Sequence, residues 1–402
     1  MSPVAITGFG VVSPLGVGRD AFELALQDPE QASVTSFDGS SEVLGDEASS
    51  SLKLAEVRGF DARDYLGKRG LRNLDRLTRF MIVASRAALH DAGVKSEGEF
   101  VAHEPERVGI SSATAYGSLD AITELLRVAE LEAPRYINPA RFPNTVINAA
   151  AGYVSIWEGL GAPNTTVVDG SCGALDAFLN AQLHLDNDRG DVFLVGGGEV
   201  ISEPLAVGLS RLGALGDSQS LDPRVEESFR IGEGAAYFCV ERESEARARG
   251  AELLGLVRGY GTAFEPPAGE AALVHGSSEA VARAIQAALR EANIDATRID
   301  IVASGIRGLR QLDQAELEGI EAALGPDTPV AQPKRVHGET FGASGAFALA
   351  QTLGWFEGAP IGPLVRGTVP SRVQTAVITS VGFYGNVSAL VIERPRETHE
   401  LD

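Results

Sequence analysis

Val167–Phe178 reads VVDGSCGALDAF: an apolar strand runs into a small-residue turn, and a helical pattern follows. This spacing places Cys172 at a strand-to-helix elbow, at the N-terminus of the helix. Unpaired backbone N–H groups and the macrodipole at such a position favour a thiolate, the nucleophilic form of cysteine. Gly170, Ser171 and Gly173 permit a sharp turn and let an acyl carbonyl approach backbone donors. A buried structural cysteine is the usual fate of this residue type. Cys239, inside an apolar strand, fits that fate, whereas the elbow favours a functional reading for Cys172.

Other groups carry less. GGGE at Gly196–Glu199 lacks the G-x-G-x-x-G spacing and any Walker lysine, so it reads as close backbone packing. His90, His103, His184, His275 and His399 show no ligand spacing with the cysteines, and no metal site is expected. Asp176 follows Cys172 by one helical turn and reads as a surface or interface charge.

The elements that must position Cys172 alternate between strand-like and helix-like, which predicts an α/β class. Pro3–Gly8, Thr165–Val168, Val192–Val195 and Ile301–Ala303 read as buried strands. Leu74–Leu89 carries apolar residues at helical spacing before Gly93, and Val281–Leu289 reads as a second amphipathic helix. AITGFG at Ala5–Gly10 is echoed by GLVRGYG at Gly255–Gly261, and AYFCVER at Ala236–Arg242 by ALVIERP at Ala389–Pro395. Two related halves, 1–245 and 246–402, would explain both echoes, as would chance recurrence of short patterns. Gly39–Ser51 and Pro266–Glu270 read as surface loops.

The 402 residues carry a net charge of −21, which disfavours nucleic-acid binding. No window approaches a membrane span, and the N-terminus has no basic segment of the signal-peptide kind. Two cysteines make no disulfide framework, so a reducing cytoplasm is expected.

Taken in order along nearly the whole chain, the sequence resembles the type II β-ketoacyl-ACP synthases and the chain-length-factor subunits related to them. The likeness rests on VAITGFGVVSPLG at Val4–Gly16, DRLTRFMIVASRAALHDAG at Asp75–Gly93 and FPNTVINAAAGYVSIWEGLGAPNTTV at Phe142–Val167. It continues through the Cys172 elbow, VFLVGGGE at Val192–Glu199 and FRIGEGAAYFCVE at Phe229–Glu241. KRVHGETFGASGA at Lys334–Ala346 and SVGFYGNVSALV at Ser380–Val391 complete it. The resemblance implies a thiolase fold, a five-layered α/β/α/β/α body built from two halves, usually as an obligate dimer.

It also implies roles. Cys172 falls on the acyl-accepting cysteine and Lys334 on the active-site lysine. Phe383 falls on the gating phenylalanine, whose N–H joins that of Cys172 in an oxyanion hole. The family's two histidines are missing. The first opens a His-Gly-Thr-Gly-Thr stretch that here reads SGIRGL, so Ser304 takes its place, and Ile306 and Gly308 replace the threonines that hold phosphopantetheine. Asp313 and Glu316 follow at close to the family's spacing and fit a structural hydrogen-bond network. The second histidine is replaced by Glu339, while His337 lies two residues earlier and is expected to point elsewhere.

Losing one aimed donor lowers a rate by about 10²–10³-fold. Ser304 would supply one weak hydroxyl donor, and an ionised Glu339 would supply none, repel an enolate and raise the cysteine pKa, unless Lys334 pairs with it. Condensation by this chain alone is therefore expected to be severely impaired. The leading expectation is a chain-length-factor-like partner of an active ketosynthase. The alternatives are a Cys172-dependent acyltransferase and a divergent active 3-oxoacyl-ACP synthase. Tyr116 and Arg141 fall on segments that line the family's tunnel end, although Arg141 equally suits an interface salt bridge. No cofactor is expected beyond acyl groups delivered as phosphopantetheine thioesters. The expected partners are an acyl carrier protein and a homodimeric or heterodimeric ketosynthase.

Overall fold

A computed structural model describes residues 3–37, 41–43, 52–216, 228–269 and 274–396. The loops expected at 39–51 and 266–270 lie partly outside the described residues. The strands are β1 (Val4–Ser13), β2 (Val108–Ala113), β3 (Asn164–Val167), β4 (Val192–Glu199), β5 (Gly234–Arg242), β6 (Gly255–Phe264), β7 (Ile301–Ala303), β8 (Val330–Ala331), β9 (Leu364–Arg366), β10 (Thr375–Val381) and β11 (Asn386–Glu393). The helices that matter here are α1 (Arg76–Asp91), α2 (Ala149–Glu158), α3 (Gly173–Asp186), α4 (Ser278–Ala292), α5 (Arg310–Leu324), α6 (Lys334–His337) and α7 (Ser344–Phe356).

Strand order is β9-β8-β7-β10-β11-β6-β1-β5-β4-β2-β3. The first half contributes β3-β2-β4-β5-β1, in which β2 is parallel to both β3 and β4 and the remaining pairs are antiparallel. The second half repeats that pattern as β8-β7-β10-β11-β6. The two runs join where Val4–Ile6 pair with Gly255–Val257. Helices α3 and α7 share the central core with one face of each run. Helices α1 and α2 cover the outer face of the first half, and α4 and α5 that of the second. Helix α7 is buried at every one of its 13 positions, as a helix apolar all round must be. The result is five layers.

The echo between Ala5–Gly10 and Gly255–Gly261 has a packing cause. Alternate residues of a strand face one side. A Cβ on Gly8 or Gly10 would lie 2.3 Å from Ala92 N or 2.2 Å from Ala84 O, at the end and along the length of α1. A Cβ on Gly259 or Gly261 would lie 2.2 Å from Ala288 O or 2.1 Å from Ala284 O on α4. In both halves an outer helix therefore rests directly on the strand backbone. The intervening aromatics Phe9 and Tyr260 point the other way, into the central core. Helix α1 begins where the Asp75 side chain accepts from Thr78 N, and α4 where Ser277 Oγ accepts from Ala280 N. Among the described residues, no helix is long and apolar enough to cross a membrane.

Replacing Gly261 with Ala should force α4 off the strand. We expect a loss of about 1–3 kcal/mol, read as a lowered denaturant midpoint with an unchanged slope.

Candidate functional site

The elbow forms as the sequence requires. Strand β3 ends at Val167, a 3₁₀ turn spans Gly170–Cys172, and α3 starts at Gly173. Gly170 has φ +53, a left-handed conformation that glycine adopts without strain. Cys172 is fully buried. Its thiol donates towards Ser380 O at 3.3 Å, with Asn386 O at 3.6 Å. Burial pushes this thiol well above its ordinary pKa, and the carboxyls of Asp176 and Asp169 push it further. The thiolate expected from the helix N-terminus is thus not the resting state. The Cys172 N–H, expected in an oxyanion hole, donates to Asp169 O at 3.0 Å.

Glu339 follows α6 and the left-handed Gly338. Its backbone is fixed by the 230–232 segment: Glu339 N donates to Arg230 O at 2.8 Å, and Gly232 N to Glu339 O at 2.9 Å. Its side chain is fully buried and surrounded by donors. Oε1 accepts from Ser344 Oγ at 2.6 Å, Phe341 N at 2.7 Å and Ser171 Oγ at 3.3 Å. Oε2 faces Lys334 Nζ at 2.7 Å and an Arg307 guanidinium nitrogen at 3.0 Å. Burial would raise this carboxyl, but Lys334 and Arg307 outweigh it and hold the pKa at about 2. Burial and then Arg307 lower the pKa of Lys334, with Glu339 opposing them. Two cationic donors on one carboxylate oxygen support the ionised pair.

The site residue that sequence reasoning missed is Arg307, which sits where the His-Gly-Thr-Gly-Thr stretch has its second glycine. Its side chain is 1% exposed. One guanidinium nitrogen donates to Ser171 Oγ at 3.2 Å, the other to Val381 O, and the group lies 5.0 Å from the centre of the Phe383 ring. The signal was legible as a cation beside the missing threonines, but its partners are remote in sequence.

Several expectations are corrected. The Ser304 hydroxyl donates to Ala331 O at 2.6 Å, so its proton is committed and it offers no donor to a substrate. Glu339 makes the pair with Lys334 that the sequence left open, and it meets Arg307 as a second cation. Asp176, read as a surface or interface charge, is half-buried: Tyr260 OH donates to it at 2.6 Å and Ser388 Oγ also donates to it. Burial raises the Asp176 carboxyl to about 7.

His337 points away, its Nδ1 3.0 Å from Gly338 O and its ring against Phe347, and burial lowers its pKa to about 3. Asp313 accepts from Arg307 N and Gly308 N, while Glu316 accepts from Gly305 N and Thr379 Oγ1, so the pair cradles the 304–308 loop. Lys334 Nζ also donates to Gly305 O at 2.9 Å. Phe383 packs with Phe229 and Phe341, and Tyr116 meets Phe341 edge-on at 5.1 Å. Arg141 lies apart, exposed at the rim of a surface pocket with Arg72, Arg79 and Arg127.

These features define a ketosynthase-type elbow whose cysteine is enclosed and whose histidine positions hold a serine and a paired carboxylate. The β-ketoacyl synthase N-terminal domain model matches residues 1–246, and the β-ketoacyl synthase C-terminal domain model matches residues 254–366. The chain belongs to the β-ketoacyl synthase family. It is 30% identical to a putative polyketide β-ketoacyl synthase 2 of Streptomyces coelicolor, covering 97% of this chain and 94% of that protein. It is 26% identical to the 3-oxoacyl-[acyl-carrier-protein] synthase 2 of Vibrio harveyi, covering 98% of this chain and 99% of that protein. The solved ishigamide ketosynthase/chain length factor has the same fold, with a TM-score of 0.83, 21% identity and coverage of 98% of this chain and 100% of that one.

Replacing Glu339 with Gln would leave two buried cations facing a neutral amide. We expect a loss of about 3–5 kcal/mol in chemical denaturation. The sign of the pH effect follows from the lowered carboxyl: its contribution is complete above the ordinary value of 4.5 and is lost as pH falls through about 2. The wild type should therefore lose stability across that acid window, and the Gln variant should lose less.

Proposed function

We propose that this chain is a chain-length-factor-like partner subunit of an active ketosynthase, in fatty-acid or polyketide-type synthesis. The observation that carries the reading is the enclosed ion cluster: Glu339, at the position of the family's second histidine, is paired with Lys334 and Arg307. Decarboxylative condensation needs donors that are free and aimed at developing charge. Here Ser304 and Glu339 are both committed to protein groups, and Cys172 is a buried thiol. A divergent active 3-oxoacyl-ACP synthase is disfavoured for the same reasons.

A second reading is favoured by one feature, the retained Cys172 elbow. A Cys172-dependent acyltransferase would need the site to open before a thioester could reach the sulfur. The decisive comparison is intact-protein mass spectrometry of wild type and Cys172→Ala after incubation with acyl carrier proteins bearing acyl and malonyl groups. The subunit reading expects no condensation product and no adduct from the chain alone. It also expects a changed product length when the chain assembles with a ketosynthase. A Cys172-dependent adduct would instead transfer the reading to the acyltransferase.

Acyl groups would arrive as phosphopantetheine thioesters on an acidic carrier protein. Despite the net charge of −21, Lys68, Arg69 and Arg72 stand exposed in one short stretch, with Arg127 and Arg141 near Arg72 around a shared pocket. Asp75, Asp120, Glu124 and Glu203 line the same pocket, so the attraction is local and modest. A Lys68→Glu, Arg72→Glu variant should bind acyl carrier protein a few-fold more weakly and with a shallower salt dependence, as read by titration at two ionic strengths.

A further inference from the structure

The geometry points to Arg307 as a latch that holds Cys172 closed, so that the cysteine is a latent nucleophile and not a dead one. This goes beyond the subunit reading, because it concerns the thiol of this chain with no partner present.

The two cysteines are equally buried for different reasons. Cys239 lies within β5, and its thiol donates to Ala88 O at 3.4 Å, beneath α1. Reaching it means lifting a helix from a sheet. Cys172 instead lies at the elbow, against the adjoining ends of β10 and β11, and the Arg307 side chain ties the elbow, the end of β10 and the turn at Glu339 together. It bonds Ser171, the residue before Cys172, and Val381 O, the carbonyl after the one that the thiol faces. It bonds Glu339 from the third side, and its guanidinium lies over the Phe383 ring.

The latch stands on a segment whose backbone Asp313 and Glu316 hold in place, so the tie is made by the side chain. Gly305 and Gly308 flank it, and Gly308 has φ +115. The Nε of Arg307 is buried without a hydrogen-bond partner, so the closed arrangement carries one unsatisfied donor. Loops held by a few polar contacts open locally at lower free energy than core strands. Removing Arg307 leaves Lys334 and Glu339 paired at 2.7 Å.

The test is alkylation of the full chain by iodoacetamide under native conditions, with each cysteine followed by peptide mapping. The sulfur–carbon bond forms as the carbon–iodine bond breaks, iodide leaves, and the thiol proton passes to solvent. Cys239 is the internal reference, so the readout is the ratio of the Cys172 rate to the Cys239 rate. Arg307→Gly removes the side chain, and Arg307→Met keeps most of its length without hydrogen bonds. We expect the ratio to rise about 100-fold in both variants. A ratio unchanged in Arg307→Gly would overturn the latch, including the case in which both cysteines label faster together through global unfolding. Protection retained in Arg307→Met would overturn it too, because filling alone would then close the site. A wild-type Cys172 that already labels like an unfolded thiol would do the same. None of these outcomes needs a ketosynthase or a carrier protein, so a failed latch leaves the subunit reading standing.

Discussion

Glu339 keeps a full negative charge where water does not reach. A lone carboxylate in such a place would take up a proton, since the effective desolvation penalty is several kcal/mol per ion. It stays ionised because five donors converge on it: Lys334, Arg307, Ser171, Ser344 and the Phe341 N–H. Those donors come from the elbow before α3, the loop after β7, the start of α6 and the turn into α7. One charge therefore fixes the relative positions of segments from both halves. The aromatic group of Phe229, Phe341 and Phe383 packs beside it and closes the remaining space.

Cys172 shows which of two opposed effects wins. A helix N-terminus favours an anion by about 0.3–1 kcal/mol at exposed sites. Full burial of an ionisable group can move its pKa by several units, each worth about 1.4 kcal/mol. The carboxyls of Asp176 and Asp169 push the thiol up further, and Asp169 is itself held by Asn386 Nδ2 at 3.0 Å. The desolvation effect is larger and the carboxyls reinforce it, so the sulfur keeps its proton. Solvent access, not elbow geometry, is what separates this cysteine from an activated one.

Most of the fold was legible because its cause is local. Glycine at alternate positions of β1 and β6, with an aromatic between, marks strands that carry a helix directly on their backbone. The elbow was legible from the spacing within one segment, whereas Lys334 and the Asp313–Glu316 cradle were implied by the family resemblance alone. The state of the site was not. Arg307 meets Glu339 across 32 positions, and Asp176 meets Ser388 across 212, so neither partnership is visible in helical or strand periodicity. The pairing of Glu339 with Lys334 was open to sequence reasoning but the second cation, Arg307, was not, and the hydroxyl partners of Asp176 do not follow from helix phase.

Arg307 and Glu339 are intelligible only together. Relative to the family's motifs, one replaces a glycine with a cation and the other replaces a histidine with an anion. Arg307 alone would set a second cation beside the buried Lys334. Glu339 alone would pair with Lys334 but leave open the space and the Val381 carbonyl that the guanidinium now fills. An apolar filling would serve worse, because Ser171 Oγ, Ser344 Oγ, the Phe341 N–H and the Gly305 and Val381 carbonyls all face this volume. Buried polar groups left without partners cost about 1–3 kcal/mol each. The volume therefore stays polar, and the paired arginine and glutamate satisfy the groups that line it.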